Sequence, residues 1–139
     1  MDGPKDRVND LMTVRVEPLT WEVLDYWKAS GLPYGPTITG TSVVSRSREG
    51  NINGLAVIGN HPDAQVKLLI EPLIADNGKI AVRVIDKLEE LLISKGMPGY
   101  GFYVAKDHPW LSQVRRLEKM GIMHRLGETE DCEWFCRKF

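Results

Sequence analysis

Val66–Gly96, VKLLIEPLIADNGKIAVRVIDKLEELLISKG, reads as a buried strand, a short loop holding Asn77-Gly78-Lys79, and a strongly amphipathic helix. Apolar residues in the helix recur at Ile80, Ala81, Val84, Ile85, Leu88, Leu91 and Leu92, the spacing of one helical face. Lys79, Arg83, Asp86, Lys87, Glu89, Glu90 and Lys95 take the other face. Gly96 is placed to end the helix, and Pro98 prevents its continuation. A strand entering a helix through a glycine-containing loop aims several unpaired backbone N–H groups at one point. Such a point is a ready anion site, usually for a phosphate, although a plain strand–loop–helix unit has the same pattern.

Downstream, Gly99–Ala105 (GYGFYVA) is rich in aromatic and branched residues and predicts a strand. Asp107 or His108 then starts a helix, with Pro109 near its first position, where a missing N–H costs nothing. Leu111, Val114, Leu117 and Met120 form its inner stripe, and Gly121 stops it. Ile122–Leu126 and Cys132–Phe139 close the chain as two strands around the turn Gly127–Asp131.

Upstream, Thr41–Arg46 and Leu55–Gly59 predict an antiparallel hairpin, and Leu32–Gly40, with two prolines and two glycines, a loop. Before it, Thr20 caps a helix containing Trp21, Leu24, Tyr26, Trp27 and Lys28, which Gly31 and Pro33 close. Alternation from Thr13, with Val14 and Val16 on one face, gives a first strand. Residues 1–11 read as a loose leader and residues 12–139 as one domain. The order β-α-β-β-β-α-β-α-β-β places the chain in the α/β (α+β) class, with a mixed, mostly antiparallel central sheet and helices on both faces.

A chain of 139 residues, 42% hydrophobic and 27% charged, has the totals of an ordinary globular domain. Its net charge of −1 comes without a basic patch, so nucleic acid is not an expected partner. No apolar run has the length of a membrane span, and MDGPKDRVND lacks the apolar core of a signal peptide. Cys132 and Cys136, without a nearby histidine, read as reduced thiols rather than a disulfide or a metal site. A cytoplasmic protein is the expectation.

The element order, the length and the phrases KIAVRVIDKLEELLISKG and RRLEKMGI resemble the GNAT family of N-acetyltransferases. Short GNAT-like proteins of tailed bacteriophages are similar in size and in the second phrase. In the family, the fourth strand runs into a loop of pattern Gln/Arg-x-x-Gly-x-Gly/Ala whose amides bind the pyrophosphate of acetyl-CoA. Laid on Asp76-Asn77-Gly78-Lys79-Ile80-Ala81, that pattern keeps only Ala81; shifted by one, it recovers Gly78 and loses Ala81. Lys79 would crowd the approach of a phosphate, yet its ammonium could pair with one. Asp76 adds a negative charge beside the anion. The resemblance thus implies acetyl-CoA as cofactor, with Leu73, Asn77, Gly78, Lys79, Ile80 and Ala81 as its binding residues. In the family a backbone amide on the fourth strand polarises the thioester carbonyl, so no side chain is required for that role.

The family's Tyr-Glu-Lys-Leu-Gly-Phe phrase falls on Leu117–Ile122, which puts Leu117 where a tyrosine commonly acts as general acid. Leucine cannot transfer a proton, and Tyr103 is the substitute chosen, with Tyr100 and His108 as other candidates. Glu71, the one charge inside the apolar part of its strand, is the candidate base; a solvent-facing strand end is its plain alternative. Pro72 suits a bulge or a splaying of strands. The tryptophans read as core or edge packing, with Trp110 the one placed to line the cofactor pocket. Arg115 and Arg116 read as a solvated face.

These residues imply an acetyl-CoA-dependent N-acetyltransferase acting on a small-molecule or protein amine by direct attack. The alternative from another class is a GNAT-like domain without catalysis that serves as a structural or partner-binding protein. A homodimer or a protein partner fits either.

Overall fold

The computed structural model describes residues 13–32, 41–60 and 68–139, apart from the side chain of Asn60. The loose leader, the loop after Leu32, His61 and the first residues of the Val66 strand lie outside them. In chain order the elements are β1 (Thr13–Glu17), α1 (Trp21–Ala29), β2 (Thr41–Arg46), β3 (Ile52–Asn60), β4 (Leu68–Ala75), α2 (Gly78–Ser94), β5 (Gly99–Ala105), α3 (Leu111–Lys119), β6 (His124–Glu128) and β7 (Cys132–Lys138). Their order matches that expected from the sequence.

Seven strands form one sheet in the order β1-β2-β3-β4-β5-β7-β6. Every neighbouring pair is antiparallel except β4 and β5. That parallel pair is joined by the α2 crossover. On one face Ile80, Val84, Leu88 and Leu92 of α2 pack on Val43, Ala56, Ile58, Ile70 and Tyr100. On the other, Val23 and Trp27 of α1 pack on Val44, Leu55 and Val57. The alternation of Val43 with Val44, and of Ala56 with Leu55 and Val57, sends neighbours to opposite cores.

The helix ends follow local chemistry. Thr20 Oγ1 accepts from the Val23 amide at 3.3 Å, as a capping residue should. Gly96, at φ +71°, turns the chain out of α2 while the Met97 amide donates to Leu92 O at 3.0 Å.

Several boundaries and faces differ from the sequence expectation. Strand β3 begins earlier than Leu55, and β6 is His124–Glu128 rather than Ile122–Leu126, so Gly127 is a strand residue. Helix α3 begins at Leu111, not at Asp107 or His108, because His108 Nδ1 takes the Trp110 amide at 3.1 Å and holds a turn ahead of the helix. Met120 is 64% exposed and leaves the inner stripe, since the helix ends at Lys119 and Met120 is its C-cap. Trp21 is 82% exposed at the first turn of α1, so it is not core packing. Glu89, assigned to the polar face of α2, is buried.

Candidate active site

The β4–β5 pair supplies the opening. A single parallel register pair, Leu69 with Gly101, joins the two strands. Beyond it β5 stays with β7 through Ala105, opposite Cys132, while β4 stays with β3. A gap therefore widens between β4 and β5 towards their C-terminal ends. On β4 the register with β3 shifts by one between Ala56–Leu73 and Ile58–Ile70. Glu71 and Pro72 thus share the space opposite Val57, the bulge that Pro72 suggested.

Glu71 stands on one lip of the gap and Tyr103 on the other, both half-buried. The Glu71 carboxylate lies near enough to the Tyr103 hydroxyl to act on it electrostatically. Burial first, and the carboxylate second, push the phenol well above its ordinary value and keep it protonated. The two residues chosen from sequence as base and acid are brought together. Trp134, opposite Tyr103 on β7, packs its ring 4.9 Å from the tyrosine ring.

At the C-terminal end of β4 the chain turns into α2. The Asp76 amide donates to Asn53 O at 2.9 Å. Its carboxylate is turned to α1, where the Tyr26 hydroxyl donates to Oδ1 at 3.1 Å. Asn77 caps the helix: Oδ1 accepts from the Ile80 amide at 3.0 Å and its carbonyl from the Ala81 amide at 3.1 Å. The amides of Ile80 and Ala81, two of the residues expected to serve the cofactor, are thereby spent on the cap, and the Ile80 and Ala81 side chains face the core. Gly78 and Lys79 remain exposed, their amides without a partner among the described residues. A Cβ at Gly78 would meet nothing within 4 Å, so the approach to this end of the helix is open. Leu73 sits opposite Ala56 just past the bulge, between the carboxylate and the loop.

Trp110 lies at the start of α3, half-buried, its ring edge-on to His108 at 5.0 Å. The helix it opens carries an open depression of about 410 Å³ lined by Ser112, Arg115, Arg116 and Lys119. Leu117 is half-buried on the inner side of the same helix.

Two buried carboxylates escaped the sequence reading. Glu89 on α2 accepts from the Tyr100 hydroxyl at 2.6 Å and from Arg137 Nη1 at 2.8 Å, clamping the helix to β5 and β7. Glu133 on β7 is bound by Arg115 of α3 and by Arg125 Nε of β6, the latter at 3.2 Å, so Arg115 is not merely solvated. These guanidiniums hold the Glu133 carboxyl below the usual carboxylate range. In sequence each looks like an ordinary polar position, and the only signal available was a glutamate abutting an apolar stripe.

Solved structures share this architecture over nearly the whole chain. The NatC complex bound to Gag peptide and CoA contains a chain that superposes with a TM-score of 0.67 at 12% identity, covering 92% of this chain and 98% of that one. A GNAT acetyltransferase of Streptococcus pneumoniae superposes with a TM-score of 0.64 at 10% identity, covering 92% and 99%. The chain has the GNAT fold. An IAA acetyltransferase of Bacillus cereus gives a TM-score of 0.61 at 12% identity, covering 92% and 99%. No family model and no curated protein matches the sequence itself. The order of elements is that of the GNAT fold, at 10–12% identity to these structures. Among the described residues, no helix is long and apolar enough to cross a membrane.

Proposed function

We propose that the protein is an N-acetyltransferase that uses acetyl-CoA and transfers the acetyl group to an amine by direct attack. The observation that carries this reading is the pairing of Glu71 with Tyr103 across the gap between β4 and β5. Transfer needs a neutral amine, a polarised carbonyl and a proton for the departing thiolate. A carboxylate and a protonated phenol on opposite lips of one cleft supply the first and third.

The loop fits the cofactor in altered form. The amides of Gly78 and Lys79 point from a helix N-terminus, and Lys79 adds an ammonium, a combination suited to a pyrophosphate. The anionic Asp76 is turned to the Tyr26 hydroxyl. Bound there, acetyl-CoA supplies the activated acyl group.

The chain's own residues divide the remaining work. Amines near neutral pH are protonated, with an ordinary pKa of about 10.4 for an alkylamine. Glu71 accepts that proton, and Leu73 presents backbone just past the bulge, where a carbonyl is to be polarised. Tyr103, held in its protonated form, donates to the leaving sulfur and recovers a proton from the adjacent Glu71, which then takes the second proton, lost by the attached nitrogen as the amide forms, and releases it to solvent. The likeness in fold to a chain of the NatC complex bound to Gag peptide and CoA supports an amine acceptor of protein type.

Melting curves with acetyl-CoA test the first step. Ligand at a hundredfold excess over Kd should stabilise the fold by about 2.7 kcal/mol. Absence of any shift at millimolar acetyl-CoA would overturn the proposal and leave a GNAT-fold structural or partner-binding domain. Given a shift, Glu71→Gln should lower kcat by about a hundredfold while leaving acetyl-CoA affinity unchanged. An unaltered rate removes Glu71 from the mechanism.

A further inference from the structure

We infer, building on that function, that the acceptor is a cationic alkylamine with no carboxylate nearby, carried on an aromatic platform made by Tyr103 and Trp134. The two rings lie on adjacent strands with centroids 4.9 Å apart and planes inclined at 40°. Both residues are half-buried, so each ring presents part of its surface to solvent. Aromatic faces attract cations, tryptophan most strongly.

Strand register defines what surrounds them. On this face of the sheet the positions around the pair are Gly101, Ala105, Cys132, Cys136 and, on β6, Gly127, with His124 further along β6 opposite Cys136. None of the first five carries a charge. Gly127, directly opposite Trp134, leaves its far flank bare, and a Cβ built there meets nothing within 4 Å. Among the described residues, the carboxylate that acts on the pair is Glu71, near the Tyr103 hydroxyl.

Lys138 lies on this face of β7 beyond Cys136 and acts on its thiol, and the other nearby cations of the described residues are committed elsewhere. Arg115 and Arg125 are bound to Glu133, which strand alternation puts on the opposite face, with Phe135 between it and Arg137. Arg137 is bound to Glu89, also on the α2 side. Lys106 is bound to Glu128. The platform is thus an aromatic surface ending in a carboxylate, with no guanidinium or lysine of the described residues placed on it. A bare ammonium fits such a surface. An amine bearing a carboxylate beside it, such as β-alanine, meets Glu71 with like charge and, among the described residues, no counter-cation on the two rings.

Tetramethylammonium chloride is the direct probe, because a quaternary cation needs neither acetyl-CoA nor turnover to bind. In ¹H–¹⁵N spectra of the labelled protein, the Trp134 indole signal, assigned by its loss in Trp134→Phe, should shift saturably with tetramethylammonium and not with sodium chloride. Tyr103 ring signals should follow the same curve. Trp134→Phe should weaken binding about threefold, read on Tyr103, and Trp134→Leu about tenfold or more. With the acceptor varied, cadaverine should be acetylated and β-alanine not, and tetramethylammonium should compete with cadaverine. Equal responses to the two chlorides, or unweakened binding in Trp134→Leu, overturn the platform. Acetyl-CoA melting shifts, read separately, decide the transferase reading, so either proposal can fail without the other.

Discussion

The Tyr26 hydroxyl on α1 donates to Asp76 Oδ1 at 3.1 Å, joining the helix on one face of the sheet to the loop that opens the helix on the other. Asp76 is the residue whose charge opposes an anion at the start of α2. The phenol satisfies one carboxylate oxygen and draws the group towards α1. Asp76→Asn should therefore tighten acetyl-CoA, by about 1 kcal/mol or about fivefold for a solvated charge near a phosphate. Tyr26→Phe should weaken it by a similar or smaller factor. Isothermal titration at low and high salt checks both, since a charge effect shrinks as salt rises.

Lys79 gives a prediction in which stability and binding move in opposite directions. It stands in the first turn of α2, a turn that contains no acidic residue to meet the positive end of the helix. Lys79→Glu should stabilise the free protein by about 0.3–1 kcal/mol through the helix dipole. The same change replaces a cation by an anion where the pyrophosphate is proposed to lie, and should weaken acetyl-CoA at least about tenfold. Melting curves without and with acetyl-CoA separate the two effects. Equal ligand-induced shifts in both proteins would remove Lys79 from the cofactor site.

Tyr100 predicts how stability falls in alkali. Its side chain is buried at 1% exposure, and its hydroxyl donates to Glu89 Oε2 at 2.6 Å. Burial first, and Glu89 second, raise the phenol above the ordinary value of about 10. The unfolded chain therefore loses this proton above about pH 10 while the folded chain keeps it. Stability from the group is intact below that pH and declines as pH rises past it, by at most about 1.4 kcal/mol per pH unit. Tyr100→Phe should cost about 1 kcal/mol at neutral pH and make the alkaline limb shallower. Urea titrations from pH 8 to 11 read the difference in slope.

The sequence was most legible where a single local rule governed the outcome. The 3.6-residue stripe from Ile80 to Leu92 and the cap at Thr20 needed only nearby residues, and both stand in the structure. Glu71 and Tyr103 could be chosen as chemistry-bearing residues, but their meeting depends on the β4 bulge and on β5 leaving β4 after one register pair. Glu89 was misplaced because its main partner, Arg137, lies 48 residues away, and helical periodicity carries no information about such a partner. Asn77 was assigned to the cofactor on resemblance, whereas its side chain closes the helix end. The late start of α3 turned on one histidine ring taking one amide.

Gly54 couples the packing of the sheet to the proposed cofactor loop, and no sequence pattern singled it out. On β3, a Cβ at this position would stand 2.7 Å from Ile80 Cγ2 and 3.0 Å from Val84 Cγ2. Both contacts belong to the first two turns of α2, packed against the sheet core, so the helix must lift for a methyl group to enter. Gly54→Ala should destabilise the protein by about 1–3 kcal/mol, the usual cost of overpacking. Lifting the same turn also displaces the Gly78 and Lys79 amides, so acetyl-CoA should bind more weakly than the stability loss alone explains. Ile80→Ala removes the closest clashing atom and tests the cause. In a double-mutant cycle, Gly54→Ala with Ile80→Ala should cost less than the sum of the two changes. Strict additivity in stability, with acetyl-CoA affinity unchanged, would show that the start of α2 takes its position from something other than this contact.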